Sequence, residues 1–144
     1  MVTLTLRSLE RPDYTDPRAL LRWFCSVFGL ADAKGDKEGG IEEQILINLI
    51  YAARQKRGIS SSELKTKPTL PRSTLIYHLN RFIDSGLVVK RGRTYHLRST
   101  DMTKVIEEIN YDVNREFMKI VDTAKEFDKL IDITLSDTKA LNKR

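Results

Sequence analysis

Residues 71–86 read PRSTLIYHLNRFIDSG, and this stretch decides the fold that the sequence predicts. It opens with proline and closes with Gly86, which suit the first turn and the left-handed end of a helix. Between them, apolar residues recur at helical spacing and face a core: Leu75, Leu79, Phe82 and Ile83. The outward face is then mixed and polar, and its members are candidates for contact with a partner: Arg72, Ser73, Ile76, Tyr77 and Asn80.

A short β-hairpin is predicted directly after this helix. The runs LVVK and TYHLR are rich in β-forming residues and flank an Arg-Gly-Arg turn. The tip of this hairpin carries three cations, Lys90, Arg91 and Arg93.

Two helices are expected before the opening stretch. The first begins at Ile41, has acidic residues at its start and basic residues at its end, and is ended by Gly58. The second is short: Ser60 and Glu63 have capping-box spacing, Leu64 anchors it, and Pro68 stops it. The order helix, short helix, turn, longer helix and basic hairpin predicts a winged helix-turn-helix domain over residues 41–98, within a mainly α chain.

Residues 1–40 are predicted to form an N-terminal arm and linker. Residues 2–7 alternate apolar and polar residues, which indicates a strand. Asp16 caps a helix that has Pro17 at its first position, and Gly29 ends it. The polar, glycine-rich residues 31–40 then form a loop.

Residues 99–135 are predicted to form a long helix that pairs two copies of the chain, and residues 136–144 a frayed tail. Apolar residues recur over this helix with gaps of three and four, and neither proline nor glycine interrupts it. An exposed single helix, or a helix pair folded back on the N-terminal helix, are the alternatives. The candidate dimerisation residues are Ile106, Ile109, Val113, Phe117, Ile120, Ala124, Phe127 and Ile131.

The positive charge of the chain is confined to its middle third. Residues 54–98 hold 11 Lys/Arg and 2 Asp/Glu, whereas residues 1–53 hold 6 and 8, and residues 99–144 hold 8 and 10. Mixed-sign surfaces are normal, so an almost acid-free block of this length indicates a polyanionic partner.

Several other classes of function find no support in the sequence. A single cysteine, Cys25, excludes an intrachain disulfide, and with only two histidines it does not make the usual zinc site. Cys25 lies among apolar residues and is expected to be buried. We found no catalytic motif, so no enzyme activity and no cofactor are expected. Neither a membrane span nor a signal peptide is apparent, so a cytoplasmic location is expected.

The segment ISSSELKTKPTLPRSTLIYHLNRFIDSGLVVKRGRTYHL (59–97) resembles the DNA-binding domain of ArsR- and MarR-like bacterial and archaeal regulators. Their recognition segment tends to read Ser-x-Ser-Thr-hydrophobic-x-x-His-Leu-x-x-Leu-x-x-x-Gly-Leu-Val, which RSTLIYHLNRFIDSGLV follows closely. Pro71 replaces the opening serine, and Phe82 replaces a leucine. The cysteine motif of metal-sensing ArsR relatives is missing, so metal sensing is not expected.

This resemblance implies a homodimeric regulator, expected to act as a repressor, that binds double-stranded DNA in a sequence-specific manner. Its recognition helix would enter the major groove, with Arg72 on guanine and Asn80 on adenine. Candidate phosphate contacts are Ser60, Ser61, Lys65, Thr74 and Arg81. The wing would reach the minor groove or the backbone. The alternative is a winged-helix adaptor that binds proteins within a larger assembly. Separately, Ile76 and Tyr77 have a structural alternative to DNA contact, which is packing on a neighbouring helix.

Overall fold

The computed structural model describes residues 4–31 and 40–142, with side chains as far as residue 138. Over these residues the chain is mainly helical with one small antiparallel sheet. The described helices are α1 Pro17–Val27, α2 Ile41–Arg54, α3 Arg72–Asp84 and α4 Met102–Asn142, and the strands are β1 Ile59–Ser60, β2 Val88–Arg91 and β3 Thr94–Leu97. The chain divides into two compact units, Met1–Ile106 and Glu107–Arg144.

Helix α1 begins where its capping residues predicted. The carboxylate of Asp16 accepts from the Arg18 N–H at 3.0 Å, and Pro17 stands at the first helical position. Gly29 follows the helix with a φ of 70°, a left-handed conformation that glycine adopts without steric cost.

The strand predicted over residues 2–7 is wrong for its described part. Residues 4–7 are not in a strand, and residues 2–3 lie outside the described residues. The chain instead runs against α1: the Arg7 N–H donates to the Val27 carbonyl at 2.8 Å, and the Trp23 indole N–H donates to the Glu10 carbonyl at 2.7 Å. Alternation alone does not make a strand, because a strand also needs a neighbouring sheet edge for its backbone groups.

Helix α2 ends four residues earlier than the sequence suggested. Its last residue is Arg54, and Lys56, with a φ of 56°, makes the left-handed turn that we expected of Gly58. Gly58 has a different role, since a Cβ at this position would overlap the ring of His96. The chain then enters β1 directly.

The short helix predicted after Ser60 is not formed. Residues 61–63 make a turn, although Ser60 and Glu63 do exchange the two capping-box hydrogen bonds, at 3.2 and 3.3 Å. Serine favours caps and turns over helix interiors, and one isolated turn of helix is marginal. The backbone at Lys67 is held instead by α2, because the Gln44 side chain accepts a hydrogen bond from the Lys67 N–H and donates one to the Lys67 carbonyl.

Helix α3 and the sheet form as the sequence predicted, with one addition. The hairpin pairs Lys90 with Tyr95 and Arg91 with Thr94, and Gly92 takes a φ of 60° in its turn. The addition is β1, which pairs with β3 and gives the strand order β1-β3-β2. This third strand fixes the hairpin against the segment that follows α2.

The core of the first unit lies between α2, α3 and the sheet. Its largest side chains with almost no exposed surface are Ile45, Leu46, Leu49, Leu79, Phe82, Leu87, Val88 and Val105. Helix α1 is tied to α2 by the Arg22–Glu43 ion pair at 3.1 Å, in which the carboxylate is buried. The core therefore contacts the inner face of α3 and leaves the outer face to solvent.

Helix α4 continues through most of the tail that we expected to be frayed. It reaches Asn142, and within this tail residues 143–144 lie outside the described residues. The hydroxyls of Thr134 and Thr138 donate to carbonyls four residues back, at 2.8 and 2.9 Å, as they do in a regular helix. Neither glycine nor proline follows to end it. Of the helices in the described residues, none is long and apolar enough to cross a membrane.

Candidate nucleic-acid interface

A cleft of about 720 Å³ lies between the start of α3, the segment before it, and the hairpin. We call it the basic cleft. Four cationic side chains line it, and among its described lining residues none is acidic. They are Lys65, Arg72, Lys90 and Arg93. Because like charges are brought together with no acidic residue in the described lining, the cleft suits an anion better than a neutral ligand.

Polar groups of the cleft come from the segment between β1 and α3. Ser60, Ser61 and Ser62 line it. The Ser60 hydroxyl donates to a carboxylate oxygen of Glu63 at 2.8 Å and lies 3.0 Å from the Ser62 hydroxyl. Hydroxyl groups of this kind are common hydrogen-bond donors to phosphate oxygens. The turn at residues 61–63 therefore presents donors at the place where a second helix was predicted.

The outer face of α3 carries the five predicted base-contact residues. Arg72, Ser73, Tyr77 and Asn80 are exposed, and Ile76 is half-buried at the wall of the cleft. Tyr77 is 60% exposed, so its side chain is not packed on a neighbouring helix of the described chain. Arg72 starts the helix and lines the cleft, so it belongs to both surfaces.

Arg81 is separated from the other predicted phosphate contacts. Its guanidinium donates to the Gly29 carbonyl at 2.6 Å and is only partly exposed. The same group lies 6.0 Å from the centre of the Tyr77 ring. Arg81 is thus accounted for by a structural contact that joins α3 to the end of α1. Thr74 is half-buried and does not line the cleft, whereas Ser60, Ser61 and Lys65 do.

The hairpin presents cations on both of its faces. Lys90 lines the basic cleft and lies 5.5 Å above the Tyr95 ring, while Arg91 faces away from the cleft. This arrangement follows from strand geometry, in which successive side chains point to opposite faces. Arg93, in the turn beside Gly92, is exposed.

Two ionisable side chains lie near the start or along the length of α3 but are not among the described lining residues of the cleft. His78 is largely buried, and its Nδ1 lies 3.7 Å from a carboxylate oxygen of Glu42. Glu63 accepts hydrogen bonds from the Ser60 hydroxyl and N–H, and these bonds lower the pKa of its carboxyl. Glu63 therefore stays charged and partly compensates Arg57, 3.7 Å away.

The dimerisation candidates on α4 differ in exposure. Ile109 is buried, and Ile106 and Val113 are half-buried. From Phe117 onward the single chain leaves the predicted seam exposed: Phe117, Ile120, Ala124, Phe127 and Ile131. Exposed ion pairs flank this seam, such as Lys119–Glu116 at 3.0 Å and Lys129–Glu126 at 3.2 Å.

Sequence reasoning missed part of the cleft and all of a second basic surface. Tyr95 and Leu70 line the cleft, but apolar residues carry no signal that separates a cleft wall from a core. Lys56 and Arg57 were expected only as basic residues at the end of the helix that begins at Ile41, and Arg98 was counted in the basic third without a role. One signal was present in the sequence: successive strand residues point to opposite faces, so Lys90 and Arg91 were bound to lie on different faces of the hairpin.

Comparisons of this chain with protein-family models, with curated proteins and with solved structures find no match.

Proposed function

We propose that the chain is a sequence-specific double-stranded DNA-binding regulator of transcription that acts as a homodimer. The observation that carries the proposal is the basic cleft, in which four cations surround the start of a solvent-exposed helix. DNA carries closely spaced phosphates, and proteins bind it largely by neutralising them with Lys and Arg. Repression by occlusion of a promoter is the simplest outcome of such binding.

The order of elements supports a variant of the winged helix-turn-helix. Helix α2, the turn at 61–63, helix α3 and the hairpin follow one another as in that fold, and β1 completes the sheet beside the hairpin. The turn replaces the second helix, which is the departure from the usual arrangement. In this reading α3 is the recognition helix and the β2–β3 hairpin is the wing.

The exposed polar residues of α3 support readout in the major groove, which admits a helix and presents a different pattern for each base pair. Arg72 would pair with guanine, and Asn80, about two helical turns further along, with adenine. Ser60, Ser61, Lys65, Lys90 and Arg93 would hold the backbone beside it. The base contacts would determine sequence preference, whereas the phosphate contacts would contribute affinity for any sequence.

The exposed part of α4 supports pairing with a second copy of the chain. Phe117 and Phe127 are each about 60% exposed on the single chain, and large apolar residues repeated at this spacing are the seam of a coiled coil. Two-fold pairing would present two recognition helices to half-sites about one helical turn apart, or a multiple of that.

The same seam is the observation that favours the alternative, an adaptor that binds a different protein. The two functions differ in what they require of the basic cleft. An adaptor has no need for a cleft without acidic lining residues, whereas a DNA-binding protein loses affinity with each cation removed.

A salt titration of duplex binding tests the proposal. Duplexes selected from a random library by the full chain should bind with log K falling by about 0.9 per log salt for each phosphate neutralised. A chain that selects no duplex, or one whose binding to the selected duplexes is insensitive to salt, would leave the adaptor as the better explanation.

Two substitutions separate the roles assigned within the cleft. Arg72→Ala should reduce the preference for the selected duplex over a scrambled one by about 1–3 kcal/mol, because a bidentate base contact is lost. Arg93→Ala should weaken binding to both duplexes alike and reduce the salt slope by about 1. Equal losses from both variants on every duplex would refute this division of roles.

A further inference from the structure

The hairpin borders a second depression on the face opposite the basic cleft. Its volume is about 270 Å³, and it lies between the end of α2, the outer face of the hairpin and the segment after β3. Alternation along the strands separates the two sites: Lys90 and Tyr95 line the cleft, whereas their neighbours Arg91 and His96 line the depression. We call the depression the rear basic pocket.

The lining of the rear basic pocket is cationic. Lys56 and Arg57 come from the end of α2, Arg91 from β2, and Arg98 from the residue after β3. Among the described residues that line it, none is acidic. Ser99 and Thr100 add two hydroxyls.

The charge of Arg57 is partly compensated by groups outside the pocket. Its guanidinium donates to the Gln55 side chain at 2.8 Å and to the Gly58 carbonyl at 3.3 Å, and Glu63 lies 3.7 Å away. Lys56 and Arg91 approach the pocket from two different segments of chain, the end of α2 and β2. Because long cationic side chains otherwise spread apart to reduce repulsion, this convergence suits a bound anion.

Two unusual backbone positions build the pocket. Lys56 has a φ of 56°, which a residue other than glycine seldom adopts, and this turn ends α2 beside the hairpin. Gly58 then passes so close to the His96 ring that a Cβ has no room. Without that close approach, β3 and the end of α2 would be held further apart.

His96 lines the pocket, and the pKa of its ring depends on the charge around it. Its Nε2 lies 2.8 Å from the Thr94 hydroxyl, and burial, followed by the charge of Arg91, lowers the pKa of the ring. An anion held among Lys56, Arg57, Arg91 and Arg98 would offset their charge and raise that pKa. The chain has two histidines, and the other, His78, lies on α3 outside the pocket.

We propose that the rear basic pocket binds a phosphate group. Cations and hydroxyls converge there from α2, the hairpin and the segment after β3, which is the donor set that a tetrahedral anion requires. The phosphate has two possible sources with the same chemistry. It is either a backbone phosphate of the duplex held by the basic cleft, which rests on the proposed function, or a free phosphorylated molecule, which does not.

The first arm of the experiment tests the duplex backbone. Lys56→Gln and Arg98→Gln, each in the full chain and checked for folding by thermal melting, should reduce the slope of log K against log salt by about 0.9 each. Sequence preference should be unchanged, because neither residue reaches a base. The matched control is Arg18→Gln, which removes an exposed cation of α1 and should leave the slope as it is.

The second arm tests a free phosphate on the protein alone. Inorganic phosphate, titrated against chloride at equal ionic strength, should move the NMR signal of His96 in a saturable manner and raise its pKa, while the His78 signal serves as the reference. Lys56→Gln should abolish the response.

The outcomes of the two arms distinguish this proposal from the proposed function. A reduced salt slope, or a saturable His96 response, supports the pocket, and the second does so even if the chain binds no duplex. Unchanged slopes in both variants together with a His96 signal that does not respond to phosphate would overturn it, even if the basic cleft binds DNA.

Discussion

Gly58 is the residue whose replacement the structure penalises most directly. Gly58→Ala places a Cβ against the His96 ring, and overpacking of this kind costs about 1–3 kcal/mol of unfolding free energy. The cost should disappear in Gly58→Ala combined with His96→Ala, because the obstructing ring is then gone. Urea denaturation of the two single variants and the double variant measures this coupling.

Gly92 provides the matched control for this prediction. It has a φ of 60°, but nothing lies within 4 Å of a Cβ built there. Gly92→Ala should cost about 1–2 kcal/mol through backbone strain alone. His96→Ala should not recover that loss, and a recovery at Gly92 would mean that the contact with the ring is not the cause at Gly58.

Cys25 should be unreactive in the folded chain. Its side chain is fully buried, and burial, together with the nearby charges of Glu43 and Glu42, raises the pKa of the thiol well above its usual range. Because the thiolate is the nucleophile, a disulfide reagent at pH 8 should react more than about a hundredfold more slowly than with the urea-unfolded chain, through rare opening. Equal rates in the folded and unfolded states would contradict the burial of the Cys25 side chain.

At the scale of elements, the sequence predicted those parts whose signals are local. The Asp16–Pro17 start of α1, the left-handed glycines and the hairpin around Gly92 each depend on a few neighbouring residues. The parts that failed depend on distant partners. Gln44, on α2, holds the backbone of Lys67 where a second helix was expected, and no local pattern announces that contact.

The candidate site was predictable to the same extent. Helical periodicity separated the inner and outer faces of α3 because core residues repeat on one face. It did not show that the Arg81 guanidinium turns back to the Gly29 carbonyl, 52 positions earlier in the chain. The basic cleft also needed the return of the hairpin beside the segment at 60–66, which is a matter of sheet pairing rather than of composition.

The direction of pairing along α4 can be tested at two residues. If Phe117 occupies heptad position a, Leu130 occupies position g and Leu135 position e, on opposite sides of the seam. Both residues are exposed on the single chain. Residues five apart at these positions meet across a parallel pair of helices. Leu130→Glu should therefore weaken the dimer by about 1–3 kcal/mol.

A second substitution in the same chain makes this test specific for parallel helices. Adding Leu135→Lys to Leu130→Glu should recover about 0.2–1 kcal/mol through two ion pairs between the chains. Sedimentation equilibrium of the variants measures both steps. A further loss in the double variant would argue for antiparallel helices or for a different partner.

At the scale of the whole molecule, we expect the two compact units to have separate roles, DNA binding for the first and pairing of two chains for the second. A chain that ends after Asn110 keeps the buried Val105 and Ile109 but lacks the exposed apolar residues from Phe117 onward. We expect it to melt cooperatively, to be monomeric by light scattering, and to bind a single half-site with the salt slope of one protomer. Dimers of the shortened chain would show that the pairing surface lies elsewhere.

The contact between Arg81 and the Gly29 carbonyl has a consequence for how this chain would evolve. The segment after α1 helps to hold α3 in position through this hydrogen bond, and under the proposed function α3 is the helix that would read DNA. Changes near residue 29 would tilt α3 without altering any of its own side chains. Under the proposed function, selection for a new DNA target would therefore act on the residues around Gly29 as well as on the outer face of α3.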